Sequence, residues 1–105
     1  MNKPMASNIS TSLIISTYNR SDALELCVKS VLRQSLLPDE IIIADDGSKE
    51  DTRELIHQLA ASSEVPIIHV WHEDLGFRLA SIRNKAIAKA SKEYIIQIDG
   101  DIVLH

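Results

Sequence analysis

A single cysteine, Cys27, stands among 105 residues. That excludes an internal disulfide, and no Cys/His spacing matches a structural zinc site, so a reducing compartment is expected. Long apolar runs are missing too. None approaches the roughly 20 residues of a membrane span, and the opening "MNKPMASNIS" has one lysine and no apolar core of signal-peptide length. The expected location is the cytoplasm, with peripheral attachment at the inner membrane left to a longer chain. Positive charge is scarce and scattered: 11 Lys and Arg stand against 15 Asp and Glu, with no basic cluster. The chain therefore lacks the basic face that nucleic acid or anionic lipid requires. Glycine and proline number three each, and no low-complexity segment, linker or internal repeat is present. No G-x-G-x-x-G follows the first strand pattern and no G-x-x-x-x-G-K-[ST] occurs anywhere, which disfavours Rossmann cofactors and P-loop nucleotides.

What is present is a 45% apolar chain, enough for one globular domain with a small core. Residues 1–10 are polar and patternless and read as a loosely ordered terminus. From residue 11 onward, short aliphatic runs alternate with helical patterns. "SLIIST" reads as a buried strand, and "YNRSD" as a helix start with Ser21 as N-cap and Asp22 and Glu25 in the first turn. Leu24, Cys27, Val28, Val31 and Leu32 then make one apolar helix face. "IIIADDGS" is a second strand and exit, followed by a helix with Thr52, Leu55, Ile56 and Leu59 on one face. "VPIIHVW" is a third strand and "HEDLGF" a loop. "RLASIRNKAIAKAS" is a third helix with Leu79, Ile82, Ala86 and Ala90 inward, and "EYIIQI" is a fourth strand that exits through "DGD".

The resulting β-α-β-α-β-α-β unit is of the α/β class. Strands apolar on both faces predict a mostly parallel sheet covered by helices on both sides, and right-handed crossovers bring the strand exits to one edge. Open α/β sheets bind ligands there, and three exits are polar: "STYNRSD", "ADDGS" and "DGD". Asp99 and Asp101 flank Gly100 at i and i+2, so both carboxylates can face one divalent ion, for which Mg²⁺ or Mn²⁺ suits the oxygen donors. The plainer alternative is a turn whose aspartates cap the next segment. Asp45 and Asp46 can hydrogen-bond a nucleoside, or serve only turn chemistry before the second helix. Arg78 and Arg83, at and near the start of the third helix, can solvate its surface or meet a diphosphate. His57, His69, His72 and His105 show no ligand spacing, and the first three read as structural or surface residues; Trp71 reads as a core or rim residue.

Taken together and in order, "LIISTYNR", "IIIADDGS", "HEDLGFRLASIRNKAI" and "YIIQIDGD" resemble the nucleotide-binding half of the family 2 glycosyltransferases, inverting enzymes of the GT-A fold. The resemblance covers residues 11–105 and implies a partial GT-A sheet in the order 3-2-1-4. It also implies roles: Ser16, Thr17 and Tyr18 on the nucleoside, Asp46 with Asp45 on the base, commonly uracil, and Arg78 with Arg83 against the diphosphate. "DGD" would be the family's Asp-x-Asp, with Asp101 as metal ligand and Asp99 on the ribose or the metal, holding Mg²⁺ or Mn²⁺. The implied partners are a nucleotide-sugar donor, expected to be a UDP-sugar, and a glycan or lipid-linked acceptor in cell-surface polysaccharide or lipopolysaccharide synthesis.

The resemblance places the general base and the acceptor site downstream of "DGD". The chain is thus expected to be a truncated half that binds nucleotide without turnover. Its fourth strand would be an exposed edge, expected to pair with a second chain. Three rivals share features with this reading. A sugar-nucleotide nucleotidyltransferase would carry a glycine-rich loop after the first strand, where "STYNR" has no glycine. A non-catalytic nucleotide-binding module would keep the pocket alone. A receiver-type domain would bind Mg²⁺ through strand-end acids but would not require "GFR" and its arginines.

Overall fold

The computed structural model describes residues 9–76 and 78–100. The expectation of a loose terminus therefore falls, except for Ile9 and Ser10, outside the described residues, as do Phe77 and Asp101. Seven elements follow in the expected order: β1 (Thr11–Thr17), α1 (Ser21–Leu32), β2 (Glu40–Asp45), α2 (Glu50–Ser62), β3 (Ile67–Trp71), α3 (Leu79–Lys89) and β4 (Tyr94–Asp99). The four strands form one sheet in the order β3-β2-β1-β4, and every pairing is parallel. The register sets Thr17 beside Asp45, Asp45 beside Trp71, and Ser16 beside Asp99, so the four strands leave the sheet at one edge.

Side chains alternate between the faces of a strand, and the core divides accordingly. Leu13, Ile15, Ile41 and Ile43 pack with Leu24, Val28 and Val31 of α1 and Ile56 and Leu59 of α2. Ile14, Ile42 and Ala44 pack with Ile82 and Ala86 of α3 on the opposite face. Both β1 and β2 are buried on two sides, which explains their unbroken aliphatic runs.

The fourth strand, expected as an exposed edge, is one: β4 lies beyond β1 with Tyr94, Ile95 and Ile96 open to solvent, and β3 at the other edge is half-buried. Three helices suffice to cover the two central strands, and two-sided burial is confined to them. One expectation needs correction: Ser21 is not an N-cap. It is the first residue of α1, behind Arg20, and no side-chain cap is made. Its hydroxyl donates instead to Asp51 Oδ2 of α2 at 3.3 Å, while Asn19, in the left-handed region at φ 48°, turns the chain into the helix.

Helix α3 is moored to β2 at both ends. At the entry end of the sheet Glu40, 5% exposed, accepts from Ser12 Oγ at 2.6 Å, Ser91 N at 2.8 Å and Ser91 Oγ at 3.0 Å. Burial alone would push this carboxyl up. The Ser12 hydroxyl, the two donors of Ser91 and the charge of Lys92 outweigh that effect and hold it below its ordinary value. At the exit end the backbone N–H of Arg78, the residue before α3, donates to Asp46 Oδ2 at 2.9 Å.

Candidate functional site

The alternation that divides the core also sorts the polar residues at the strand exits. Ser16 continues the face of Ile14, Asp46 that of Ile42 and Ala44, and His72 that of Ile68 and Val70, all on the α3 side. Asp99 is paired in register with Ser16 on the same side. Asp45, His69 and Trp71 fall on the α2 side. Two residues adjacent in sequence, Asp45 and Asp46, thereby acquire different surroundings.

Asp45 is 1% exposed and committed to the chain itself. Its Oδ1 accepts from Ser48 N at 2.9 Å, which closes the turn into α2, and its Oδ2 meets His69 Nε2 at 2.8 Å. Expected beside Asp46 on a nucleoside, Asp45 instead performs the turn chemistry that was its alternative, and it does not line the exit cavity. That cavity, of about 210 Å³, is bordered by Ser16, Thr17 and Tyr18 from β1 and the loop after it, by Asp46, and by Asp99 and Gly100. Arg20 and Leu79 complete its wall.

Asp46 is 4% exposed, with its N–H on Thr17 O at 3.0 Å. Its Oδ1 lies 2.5 Å from His72 Nε2, and Oδ2 takes the Arg78 N–H. His72 is itself buried, and its Nδ1 lies 3.0 Å from Lys85 Nζ on α3. On the opposite wall, Asp99 Oδ1 accepts from Ser16 Oγ at 3.1 Å and from Arg83 Nη2 at 3.0 Å. Gly100 closes the floor: its N–H donates to Ser16 O at 2.7 Å, and a Cβ there would stand 2.6 Å from that oxygen. A residue with any side chain would force the two strand exits apart.

Tyr18 forms the rim, its hydroxyl donating to Asp74 Oδ2 at 2.6 Å. That bond raises the Tyr18 phenol above its ordinary value and, together with the Gly76 N–H, holds the Asp74 carboxyl below its own. Gly47 keeps Asp74 close. Its φ is +96°, and a Cβ would lie 2.6 Å from the Asp74 backbone, so both conformation and space call for glycine.

Of the expected nucleotide residues, then, Ser16, Thr17, Tyr18, Asp46 and Asp99 share one cavity and Asp45 does not. Arg78 contributes its backbone, and its guanidinium reaches Ser81 Oγ at 3.4 Å; Arg83 pairs with Asp99. Sequence reasoning passed over His72, Lys85, Asp74 and Arg20. For His72 a signal existed: with β3 beside β2, the residue after Trp71 must emerge next to the one after Asp45. As for a metal, no group of three His, Cys, Asp or Glu converges among the described residues. Asp99 does offer a fitting donor. Its Oδ1 is fixed by Ser16 and Arg83, and its Oδ2 takes no hydrogen bond among the described residues, a hard oxygen suited to Mg²⁺ or Mn²⁺.

A parallel sheet in the order 3-2-1-4 with a polar cavity at its exits is the architecture of GT-A glycosyltransferases. The sequence agrees: residues 12–105 match the model of Glycosyl transferase family 2, and the chain belongs to that family. It is 32% identical over 101 residues to a chondroitin synthase of Pasteurella multocida, covering 95% of this chain and 10% of that protein. It is 38% identical over 90 residues to the putative teichuronic acid biosynthesis glycosyltransferase TuaG of Bacillus subtilis, covering 86% of this chain and 35% of that one. Among solved structures, S. aureus TarS 1-349 in complex with UDP-GlcNAc superposes with a TM-score of 0.76 at 22% identity, over 89% of this chain and 27% of that chain. The chain thus spans between a tenth and about a third of the length of these relatives.

Proposed function

We propose that this chain is the donor-binding half of an inverting glycosyltransferase that takes a UDP-sugar and builds cell-surface polysaccharide or lipopolysaccharide. The observation that carries the reading is the convergence of Ser16, Tyr18, Asp46 and Asp99 on one cavity at the strand exits of a family member. A relative of the same fold, TarS, has been crystallised with UDP-GlcNAc, which supports a nucleotide sugar as the ligand class.

In this reading the nucleoside lies over the β1 exit, its base against Tyr18. Asp46, as a carboxylate, can only accept hydrogen bonds, so it reads an N–H such as that of uracil. Ser16 holds Asp99 in place for the ribose or for a divalent cation shared with Asp101. Bound Mg²⁺ or Mn²⁺ supplies positive charge that offsets the charge developing on the departing nucleoside diphosphate. Arg78 and Arg83 are the guanidinium groups nearest the start of α3, and Arg20, which lines the cavity, adds a third for the phosphates. The acceptor hydroxyl attacks the anomeric carbon from the opposite face, and the residues assigned in this reading are all given to the donor. The chain alone is therefore expected to bind the donor without transferring it.

Calorimetric titration of UDP with Mn²⁺ tests this, repeated on Asp99→Ala and Asp101→Ala and with GDP and dTDP as competitors. Metal-dependent UDP binding that both variants lose is the expected result; a folded chain that ignores UDP overturns the reading. No helix among the described residues is long and apolar enough to cross a membrane. The edge of β4, unpaired among the described residues and with exposed Ile95 and Ile96, is proposed to pair with a second copy. A strictly monomeric mass by light scattering at high concentration would remove that part of the proposal.

A further inference from the structure

We propose that His72 and Lys85 are positioning residues that fix Asp46 as an oriented acceptor and thereby set how strongly the site selects for a nucleobase N–H. The inference rests on the nucleotide reading above. It begins with an asymmetry in hydrogen-bonding capacity. The Lys85 ammonium has three donors and no acceptor, so its approach to His72 Nδ1 at 3.0 Å requires a lone pair on that nitrogen. A neutral imidazole with its lone pair on Nδ1 carries its hydrogen on Nε2. That N–H points at Asp46 Oδ1, 2.5 Å away. Lys85 thus selects the tautomer, and the tautomer fixes the carboxylate.

The other carboxylate oxygen is held by the Arg78 N–H, so Asp46 cannot rotate about its terminal bond without breaking one of two hydrogen bonds. Each oxygen can accept more than one bond, and Asp46 borders the cavity, so capacity remains for a ligand donor. His72 and Asp46 are both more than nine-tenths buried, which weakens competition from water and strengthens each contact in the series. Lys85, in contrast, stands on the exposed side of α3. A solvent-facing lysine turned inward to an imidazole nitrogen is not accounted for by helix solvation.

The test uses two probes on the full chain with Mn²⁺, namely UDP and N3-methyl-UDP, which lacks the base N–H. The wild-type chain is expected to prefer UDP by about tenfold or more, the worth of one hydrogen bond to a charged group. His72→Leu is expected to weaken UDP by about tenfold and to leave N3-methyl-UDP nearly unchanged, so that the preference collapses. His72→Gln, whose amide can donate to Asp46 and accept from Lys85, is expected to restore most of it. Lys85→Met, at an exposed position that does not threaten folding, frees the imidazole to place its hydrogen on Nδ1 and is expected to weaken UDP about threefold, again selectively.

Equal weakening of both probes with no recovery in His72→Gln would mean that His72 only supports the fold, and would overturn the inference. Wild-type affinity in folded His72→Leu would do the same while leaving the donor-site reading intact. A folded wild-type chain that binds UDP without preferring it to the methylated probe would overturn the role of Asp46 and this inference together. One that binds neither probe would overturn the donor-site reading as well.

Discussion

The two ends of the sheet each bury a carboxylate on the α3 face, and they treat it differently. Glu40 at the entry end receives three hydrogen bonds from Ser12 and Ser91, all of them from the chain itself. Asp46, six residues and roughly 20 Å further along an extended strand, receives one from the Arg78 N–H, makes a second with His72, and faces a cavity. Both acids moor α3 to β2, one at each end of the helix. At the entry end the mooring is closed and the acid has no outside task. At the exit end it is left incomplete, and the unfilled capacity points where a ligand would sit. Burial of an acid does not by itself mark a binding site; what marks it is the acceptor capacity left over after the chain's own donors have been served.

Removing each acid in turn should damage the two ends differently. Asp46→Ala should weaken UDP roughly 10- to 100-fold, the range for losing hydrogen bonds to a charged acceptor. Glu40→Ala should leave UDP affinity within about twofold and should instead destabilise the fold by about 1–3 kcal/mol, because the Ser12 hydroxyl and the Ser91 N–H lose their partner. Titration calorimetry reads the first effect and urea denaturation the second. If Glu40→Ala weakened UDP as much as Asp46→Ala does, the two ends would not be functionally distinct.

Much of this contrast was open to sequence reasoning, and the part that was not has identifiable causes. Aliphatic runs such as "LII" and "III" located the central strands because both of their faces are covered, and right-handed crossovers then placed the exits together. The same aliphatic signal is ambiguous at β4: the sheet order makes "YIIQI" an edge, and whether an edge is covered depends on what packs over it, which a strand's own composition does not encode. Asp45 and Asp46 stand together in the sequence as a pair. Strand periodicity could have separated them, since Asp45 shares a face with Ile41 and Ile43 and Asp46 with Ile42 and Ala44. Applied to β3, the same count sends His69 to Asp45 and His72 to Asp46. What no periodicity supplies is the Lys85 contact, which depends on the rotation of α3 about its own axis.

A smaller effect separates the ends by pH. The Glu40 carboxyl is held below its ordinary value of 4.5 in the folded chain. A depressed acid contributes stability that is present above its unfolded value and is lost as pH falls through the lower folded value. Urea midpoints should therefore decline as the solution is acidified below about pH 4.5. In Glu40→Gln the whole curve should sit lower and decline less steeply. An identical slope in the variant would assign the acid sensitivity to other carboxylates and would weaken the case that the entry end is held by this one charge.

The smallest expected effect concerns the rim, where the half-exposed Tyr18 donates to Asp74 at the surface. Solvent competes for both partners, so the bond should orient the ring more than it stabilises the fold. In Tyr18→Phe the Asp74 carboxyl loses the first of the contacts that depress it, and its titration, followed by NMR, should move up toward the ordinary value of 3.8. The ring face survives the substitution, so UDP affinity should fall by no more than about threefold, far less than in Asp46→Ala. A loss as large as that of Asp46→Ala would move the weight of recognition from the buried acid to the exposed phenol. The exit end would then owe its function to its rim and not to the incomplete mooring of α3.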